Sequence, residues 1–165
     1  MVRIGQGFDA HAFVPDRPLV LGGVSVPHDK GLGGYSDADV LLHAVCDALL
    51  GAAGQGDLGR HFPGSDPRNA DRDSREIVRE VRNLLEAAGA SVANVDATLV
   101  AQQPRLGPYV PEMEANLAAD LQMPRDRVNV KATTTDHLGW TGRGEGIAAL
   151  AVALIESEGP PPETG

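Results

Sequence analysis

Asp9 and His11 form a D-x-H pair near the start of the chain, where residues 2–9 have the alternation of a strand. Side chains two residues apart in a strand point to the same face, so this pair presents a carboxylate beside an imidazole. Both are zinc ligand types, but zinc sites in proteins use at least three protein ligands. The pair is therefore half of a metal site, unless it is a surface Asp and His that follow a short strand.

His43 is the candidate third ligand. The sequence predicts a helix from about Ser36, as its N-cap, to Ala53. Asp39, His43 and Asp47 are spaced four residues apart and lie along one face of this helix. A ligating imidazole usually donates its other N–H to a carboxylate, so Asp47 or Asp39 is the expected partner of His43. In a helix without a metal, His43 is a polar residue satisfied by these same carboxylates.

A second polar cluster follows the predicted strand 128–132. Thr133–Thr135 offer hydroxyl groups to phosphate oxygens, and Asp136 offers an anchor for a hard cation such as magnesium. A threonine-rich strand end without a ligand is the alternative. The next segment, 139–146, has four glycines whose N–H groups could approach an anion beside Arg143.

Composition limits the classes of function. The length of 165 residues fits one domain, expected over residues 1–156, with a disordered tail over 157–165. A net charge of -9 argues against a nucleic-acid surface, because phosphate backbones require clustered Lys and Arg. No segment has the roughly 20 apolar residues of a membrane span. The single cysteine, Cys46, lies in an apolar run and is interpreted as a core residue of a cytoplasmic protein.

The remaining segments position these groups. The G-x-G-x-x-A pattern at residues 5–10 is not a dinucleotide-binding fingerprint, because a proline-rich stretch follows it instead of a helix. Residues 147–155 form an apolar run that periodicity alone leaves open between buried helix and buried strand. The other predictions are a hairpin at 19–26, a long loop at 54–72, a packing helix that Asp73 begins and Gly89 ends, a strand at 92–101 and a helix at 111–121.

Taken together, these segments resemble the 2-C-methyl-D-erythritol 2,4-cyclodiphosphate synthase family from Arg3 almost to Ile155. The segments that carry the resemblance are Ile4 to His11, Ser36 to His43, Asp47 to Ala53, Gly56 and Asp57, Asp73 to Glu76, Val130 to Thr135 and Thr141 to Gly146.

The resemblance implies a metal-dependent phosphorus–oxygen lyase of the non-mevalonate route of isoprene biosynthesis. Zinc would be held by Asp9, His11 and His43, and a second cation, magnesium or manganese, by Asp136, where many members have Glu. The substrate would be 4-diphosphocytidyl-2-C-methyl-D-erythritol 2-phosphate. Its 2-phosphate would attack the β-phosphorus, CMP would leave, and the cyclic diphosphate would form.

The resemblance also assigns binding residues. Thr134 would act on the phosphates, and Tyr35, where many relatives have His, is the second candidate catalytic residue. Trp140 replaces a usual Phe, and Gly64 stands where a familiar variant has Asp. The residues expected to bind substrate are Asp9, Ala10, His11, Tyr35, Ser36, Asp57, Leu58, Gly59, Phe62, Pro63, Gly64, Ser65, Asp66, Ala101, Gln102, Gln103, Pro104, Arg105, Leu106, Gly107, Ala132, Thr133, Thr134, Thr135, Asp136, Trp140 and Arg143.

The fold implied is α+β, a mixed β-sheet with helices on one face, and three such sheets would pack around a threefold axis in a homotrimer. Active sites would lie between subunits, and residues 147–155 would be a strand. Phe8 and Arg143 would line a central channel. Two other functions remain open: a non-catalytic trimeric protein that binds isoprenoid diphosphates with a metal, suggested by Tyr35, and a zinc phosphohydrolase.

Overall fold

Strands and helices follow one another through residues 1–157, which are the residues that the computed structural model describes. Ser157, the first residue of the expected tail, ends the last strand, and residues 158–165 lie outside the described part. The elements are β1 (Val2–Val14), β2 (Leu19–Leu21), β3 (Val24–Val26), β4 (Gly31–Leu32), α1 (Val40–Ala53), α2 (Leu58–His61), α3 (Ser74–Ala87), β5 (Ala90–Val100), α4 (Val110–Asp120), β6 (Val128–Thr133), α5 (Gly139–Gly142) and β7 (Gly146–Ser157).

The main sheet has five strands in the order β4-β1-β7-β5-β6. β5 and β6 are parallel, and the other neighbours are antiparallel, so the predicted mixed sheet of an α+β fold is confirmed. α4 lies in the connection that parallel pairing of β5 and β6 requires. The apolar segment left open by periodicity is strand β7, hydrogen-bonded to β1 and β5. β2 and β3 form the predicted hairpin.

α1 packs directly against β1 and β7. Ten of its residues are buried, and Cys46 is one of them, as the sequence predicted. β1 can approach this closely because Gly5 and Gly7 face the helix. A Cβ built on Gly7 would lie 1.9 Å from the Ala44 carbonyl oxygen, and one on Gly5 would lie 2.0 Å from that of Ala48.

The opposite face of the sheet carries exposed apolar side chains. Ile4 and Phe8 on β1 are 69% and 56% exposed, and Leu150 and Val152 on β7 are 38% and 41% exposed. Phe8 pairs with Leu150 across the two strands, so these side chains form one continuous patch. The alternation of β1 therefore separates a glycine face under α1 from an apolar face that residues 1–157 leave uncovered.

Two sequence expectations were wrong: the position at which α1 begins, and the description of residues 54–72 as a loop. α1 begins at Val40 with Asp39 as its N-cap, not near Ser36, because the Asp39 carboxylate accepts from Leu42 N and also from Gly22 N and Gly23 N. Gly22 and Gly23 lie in the turn of the distant β2–β3 hairpin. The long loop 54–72 also contains structure: Asp57 caps α2, and a 3₁₀ turn spans Pro67–Asn69.

Within residues 1–157, no helix is both long and apolar enough to cross a membrane.

We predict that Gly7→Ala lowers the free energy of unfolding by about 2–3 kcal/mol, since its methyl group must push α1 away from β1. Chemical denaturation followed by circular dichroism measures the change. Gly51→Ala is the matched control. Gly51 lies on α1 where the nearest atom to a Cβ would be 3.9 Å away, so alanine should be neutral or stabilise by up to about 1 kcal/mol. Equal stability of Gly7→Ala and the unmodified protein would contradict this account of the interface.

Candidate metal centre and active site

Three predicted ligands meet between β1 and α1. Asp9 and His11 lie on β1, and His43 lies in the first turn of α1. Asp9 Oδ2 is 2.8 Å from His11 Nε2 and 3.0 Å from His43 Nδ1, and the two imidazole nitrogens are 3.3 Å apart. The structure therefore brings together one ligand atom from each residue.

The triangle of ligand atoms fits one metal ion. In a tetrahedral zinc site, bonds of about 2.0–2.1 Å place ligand atoms about 3.3 Å apart, close to these distances. The three side chains are 26%, 18% and 12% exposed for Asp9, His11 and His43, so the site is shielded but still reachable. Three protein ligands leave a fourth position for a water or a substrate oxygen.

Hydrogen bonds at the other ring nitrogens fix both imidazoles. His11 Nδ1 lies 2.7 Å from the Gly33 carbonyl oxygen, to which it donates, so its Nε2 lone pair is free for a cation. His43 Nε2 lies 3.1 Å from Ser36 Oγ and 3.0 Å from Ser74 Oγ. His43 Nδ1, the nitrogen that faces Asp9, is then available as a ligand.

The predicted carboxylate partners of His43 were wrong. Asp39 is fully buried, and its oxygens accept backbone N–H groups at the start of α1 and in the glycine turn. Burial raises the pKa of Asp39 to about 6, against the opposing effect of these donors. Asp47 accepts from Leu58 N at 2.7 Å and so anchors α2. Backbone donors therefore occupy both carboxylates.

Charge pairing keeps Asp9 ionised. When the ring nitrogens that face Asp9 carry protons instead of binding a cation, the hydrogen bonds and charge of His11 and His43 together outweigh the effect of partial burial and hold the pKa of Asp9 well below its usual range. Desolvation would lower the pKa of His11, but the hydrogen bond to Asp9, the charge of Asp9 and the hydrogen bond to Gly33 together raise it. The carboxylate is therefore an anion prepared to bind a cation.

The loop that carries Tyr35 and Ser36 borders the triad. Arg17 donates to the carbonyl oxygens of Gly34, at 2.7 Å, and Ser36, at 2.6 Å, and holds the loop from both sides of Tyr35. The Tyr35 side chain is 46% exposed and lies beside Gly64, where a Cβ would be 3.8 Å from its ring. Ser36 is buried. Three predicted substrate residues are thus brought together next to the metal triad.

The other predicted substrate residues of this half lie in the segment between α1 and α3. Asp57 Oδ1 accepts from Arg60 N, and the Asp66 carboxylate pairs with Arg68 in a fork. Phe62 lies beneath the Arg72 guanidinium, 5.6 Å from its carbon to the ring centre. The remaining ones are Leu58, Gly59, Pro63 and Ser65, and Ala10 lies on β1.

A separate cavity of about 660 Å³ opens at the end of β6. The residues from Ala101 to Gly107, together with Ala132, Thr133 and Thr134, all of which the resemblance predicts to bind substrate, line it. Val110 also lines it and was missed, since its position at the start of α4 becomes visible only once the turn at Gly107–Tyr109 folds.

Beyond the cavity, Thr134 and Asp136 form a tight turn. Asp136 N donates to Thr134 Oγ1 at 3.2 Å, and the φ of Asp136 is +49°. The Thr135 hydroxyl instead donates to the Leu138 carbonyl oxygen inside the turn. Trp140 and Arg143 are not among the residues that line the cavity, and Arg143 forms an ion pair with Glu145 at 2.6 Å. The Arg143 guanidinium, predicted to bind an anion, thus uses its Nε to contact the Glu145 carboxylate.

Strand register places two half-sites, the metal triad on β1 and the cavity at the end of β6, at the same level of the sheet. Asp9 lies opposite Ala149, Ala149 opposite Leu99, and Leu99 opposite Ala132. β1 and β6 are three strand spacings apart, a distance of about 14 Å. Within one chain, the triad of Asp9, His11 and His43 is therefore separate from the cavity at the end of β6.

Comparison with known proteins finds close relatives over nearly the whole chain. The YgbB family model matches residues 2–156. A 2-C-methyl-D-erythritol 2,4-cyclodiphosphate synthase of Burkholderia mallei (strain SAVP1) is 56% identical over 156 residues, which cover 94% of this chain and 96% of that protein.

Solved structures show the same likeness. The bifunctional IspDF from Campylobacter jejuni has a TM-score of 0.92 and 39% identity, covering 96% of this chain and 43% of that one. A CDP-bound 2C-methyl-D-erythritol-2,4-cyclodiphosphate synthase has a TM-score of 0.85 and 36% identity, covering 93% of this chain and all of that one. The matched region includes the elements that carry both half-sites.

We predict that His43→Ala loses bound zinc, from about one ion per chain to about a tenth of that, because only two protein ligands remain. Metal analysis after gel filtration in the presence of a weak chelator measures it. His61→Ala is the control, since His61 donates to the Gln55 carbonyl oxygen and lies outside the triad. Zinc content in His43→Ala equal to that of the control would contradict the ligand assignment.

Proposed function

The chain belongs to the YgbB family, and on this premise we propose that it converts 4-diphosphocytidyl-2-C-methyl-D-erythritol 2-phosphate into 2-C-methyl-D-erythritol 2,4-cyclodiphosphate and CMP. The observation that carries the proposal is the 56% identity to a synthase of this name over nearly the full length of both chains. It favours catalysis over the non-catalytic binding protein that Tyr35 suggested. The reaction class is a phosphorus–oxygen lyase of isoprene biosynthesis.

The proposed reaction requires position and charge neutralisation more than activation of a nucleophile. An oxygen of the 2-phosphate forms a bond to the β-phosphorus, and the bond from that phosphorus to the oxygen of the CMP phosphate breaks. One anion therefore attacks another within a single molecule, and the geometry of the bound substrate decides the rate. Net charge is conserved, because CMP leaves with the electron pair of the broken bond.

Two cation sites support this chemistry. Asp9, His11 and His43 would hold zinc, and Asp136 would hold magnesium or manganese. When bound, such cations polarise phosphate oxygens and offset their negative charge. The Asp9 carboxylate is already ionised and held between two imidazoles, as this role requires. Asp136 shares its turn with Thr134, so a cation there would lie beside the Thr134 hydroxyl, which is the candidate hydrogen-bond donor to the phosphates.

The remaining groups would orient the substrate. The cavity at the end of β6 would hold cytidine and its phosphate, with the Thr134 hydroxyl as a donor to phosphate oxygen. Tyr35 would donate one hydrogen bond from its phenol, a neutral replacement for the His of many relatives. The segment from Asp57 to Asp66 would cover the methylerythritol phosphate.

A homotrimer would complete each site. The exposed patch of Ile4, Phe8, Leu150 and Val152 supports association through the sheet face, because soluble chains seldom leave such a patch uncovered. The separation of β1 from β6 supports a site that joins the metal triad of one chain to the nucleotide cavity of another. A monomer in sedimentation experiments would contradict this part of the proposal.

A cytoplasmic location, supported by the single buried cysteine, belongs to the proposal as well.

Incubation with the cytidine substrate, zinc and magnesium should yield CMP and the cyclic diphosphate in equal amounts. Phosphorus NMR identifies the products, and oxygen-18 water distinguishes the mechanisms. A cyclase incorporates no label because the attacking oxygen belongs to the substrate, whereas a phosphohydrolase yields a linear product that carries label. Absence of CMP would favour the binding protein, and a labelled linear product would favour the hydrolase.

We predict that Asp136→Asn keeps bound zinc but loses its dependence on magnesium, with turnover reduced about 100-fold. Asn tolerates the positive φ of this position, so the charge is removed without strain in the turn. Turnover against magnesium concentration, together with zinc content, measures the effect. Asp126→Asn, on an exposed 3₁₀ turn, is the control. A magnesium response like that of the control would contradict Asp136 as the second anchor.

A further inference from the structure

Ser74 joins a candidate metal ligand to a carboxylate that helix spacing did not single out. Ser74 Oγ is 3.0 Å from His43 Nε2, and it donates a short hydrogen bond to Asp37 Oδ1. Ser74 N donates to the other oxygen of Asp37 at 3.0 Å. Ser74 is fully buried at the first residue of α3, so water does not compete for these bonds.

The donors and acceptors fix the direction of this chain of hydrogen bonds. If His43 Nδ1 binds a metal, the neutral ring carries its proton on Nε2, which must then donate. An ionised carboxylate only accepts, so the Ser74 hydroxyl donates to Asp37 and accepts from His43. His43 therefore donates to Ser74, and Ser74 donates to Asp37. The arrangement is a histidine–carboxylate pair in which one hydroxyl group lies between the two partners.

Ser36 is the competing acceptor for the same N–H. Its Oγ is 3.1 Å from His43 Nε2, but it also accepts from Ala38 N at 3.2 Å. Asp37 stands behind Ser74 and polarises its hydroxyl, which makes Ser74 the stronger acceptor. Asp37 is itself held in place, since it also accepts from Asp39 N at the start of α1.

We propose that Ser74 and Asp37 are positioning residues that set the metal affinity of the triad through His43. The pair holds the ring so that Nδ1 points at Asp9 and makes that nitrogen a better electron donor. Groups that orient a metal-binding histidine in this way change metal affinity by about 10–100-fold. The inference rests on the proposed metal site, and it goes further by assigning a role to residues that touch neither metal nor substrate.

The test is zinc affinity, measured by competition with a chromophoric chelator and without substrate. Ser74→Ala should weaken zinc binding by about 10–100-fold, and Asp37→Asn by a smaller factor. The absorption spectrum of the cobalt-substituted protein should change in both variants, which a purely structural effect on α3 would not produce. If Ser74→Ala does not fold, Asp37→Asn decides.

Asp73→Ala is the matched control. Asp73 caps α3 by accepting from Arg75 N at 2.8 Å, so its loss loosens the same helix end without touching the chain of hydrogen bonds. Its thermal midpoint should fall while its zinc affinity stays within about twofold of the unmodified protein.

Two results would overturn the inference: a zinc affinity in Ser74→Ala within about twofold of the unmodified protein, or an equal loss in Asp73→Ala. An unchanged Asp37→Asn would remove Asp37 from the pair, and it would overturn the inference if Ser74→Ala does not fold. If the unmodified protein binds no zinc, the metal site itself fails, and that outcome is distinct from the other two.

Discussion

Backbone contact between β1 and α1 is the constraint on which the candidate site depends. Gly5 and Gly7 let the strand approach the helix to a distance that any Cβ would prevent. Two residues further along the same face, side chains reappear as Asp9 and then His11, and they meet His43 on α1. A wider gap between strand and helix would separate His43 from the pair. The same alternation turns Ile4 and Phe8 to the opposite, uncovered face.

The sequence predicted the elements well where the signal is local, and failed where distant groups compete. Strand alternation placed Asp9 beside His11, and the apolar spacing of α1 correctly predicted that His43 lies on a helix. Ser36 looked like a helix cap, but the structure uses Asp39, because Gly22 and Gly23 bring further donors to that carboxylate. No local pattern contains this information. β7 was identified as a strand only through the family resemblance.

The surroundings of His43 show the same limit at the level of the site. Helix spacing placed Asp47 four residues after His43 on α1, but Asp39 is the N-cap, and spacing does not reveal that backbone N–H groups occupy both carboxylates. The actual partners are hydroxyls from the loop before α1 and from the start of α3. Ser74 was visible in the sequence only as part of a capping signature, next to Asp73. Its contact with His43 spans 31 residues and depends on how α3 packs.

Charge explains why cations matter to the proposed reaction. The chain carries 14 basic and 23 acidic residues, and its arginines near the half-sites are largely paired. Arg17 donates to backbone carbonyls of the Tyr35 loop, Arg72 pairs with Glu76 and Glu80, and Arg143 pairs with Glu145. These three guanidinium groups are therefore already engaged within the chain, while Arg105 lines the cavity. In the proposed reaction, cations held by Asp9 near the triad and by Asp136 near the cavity would neutralise the phosphates, so the acidic residues would act through the cations that they bind.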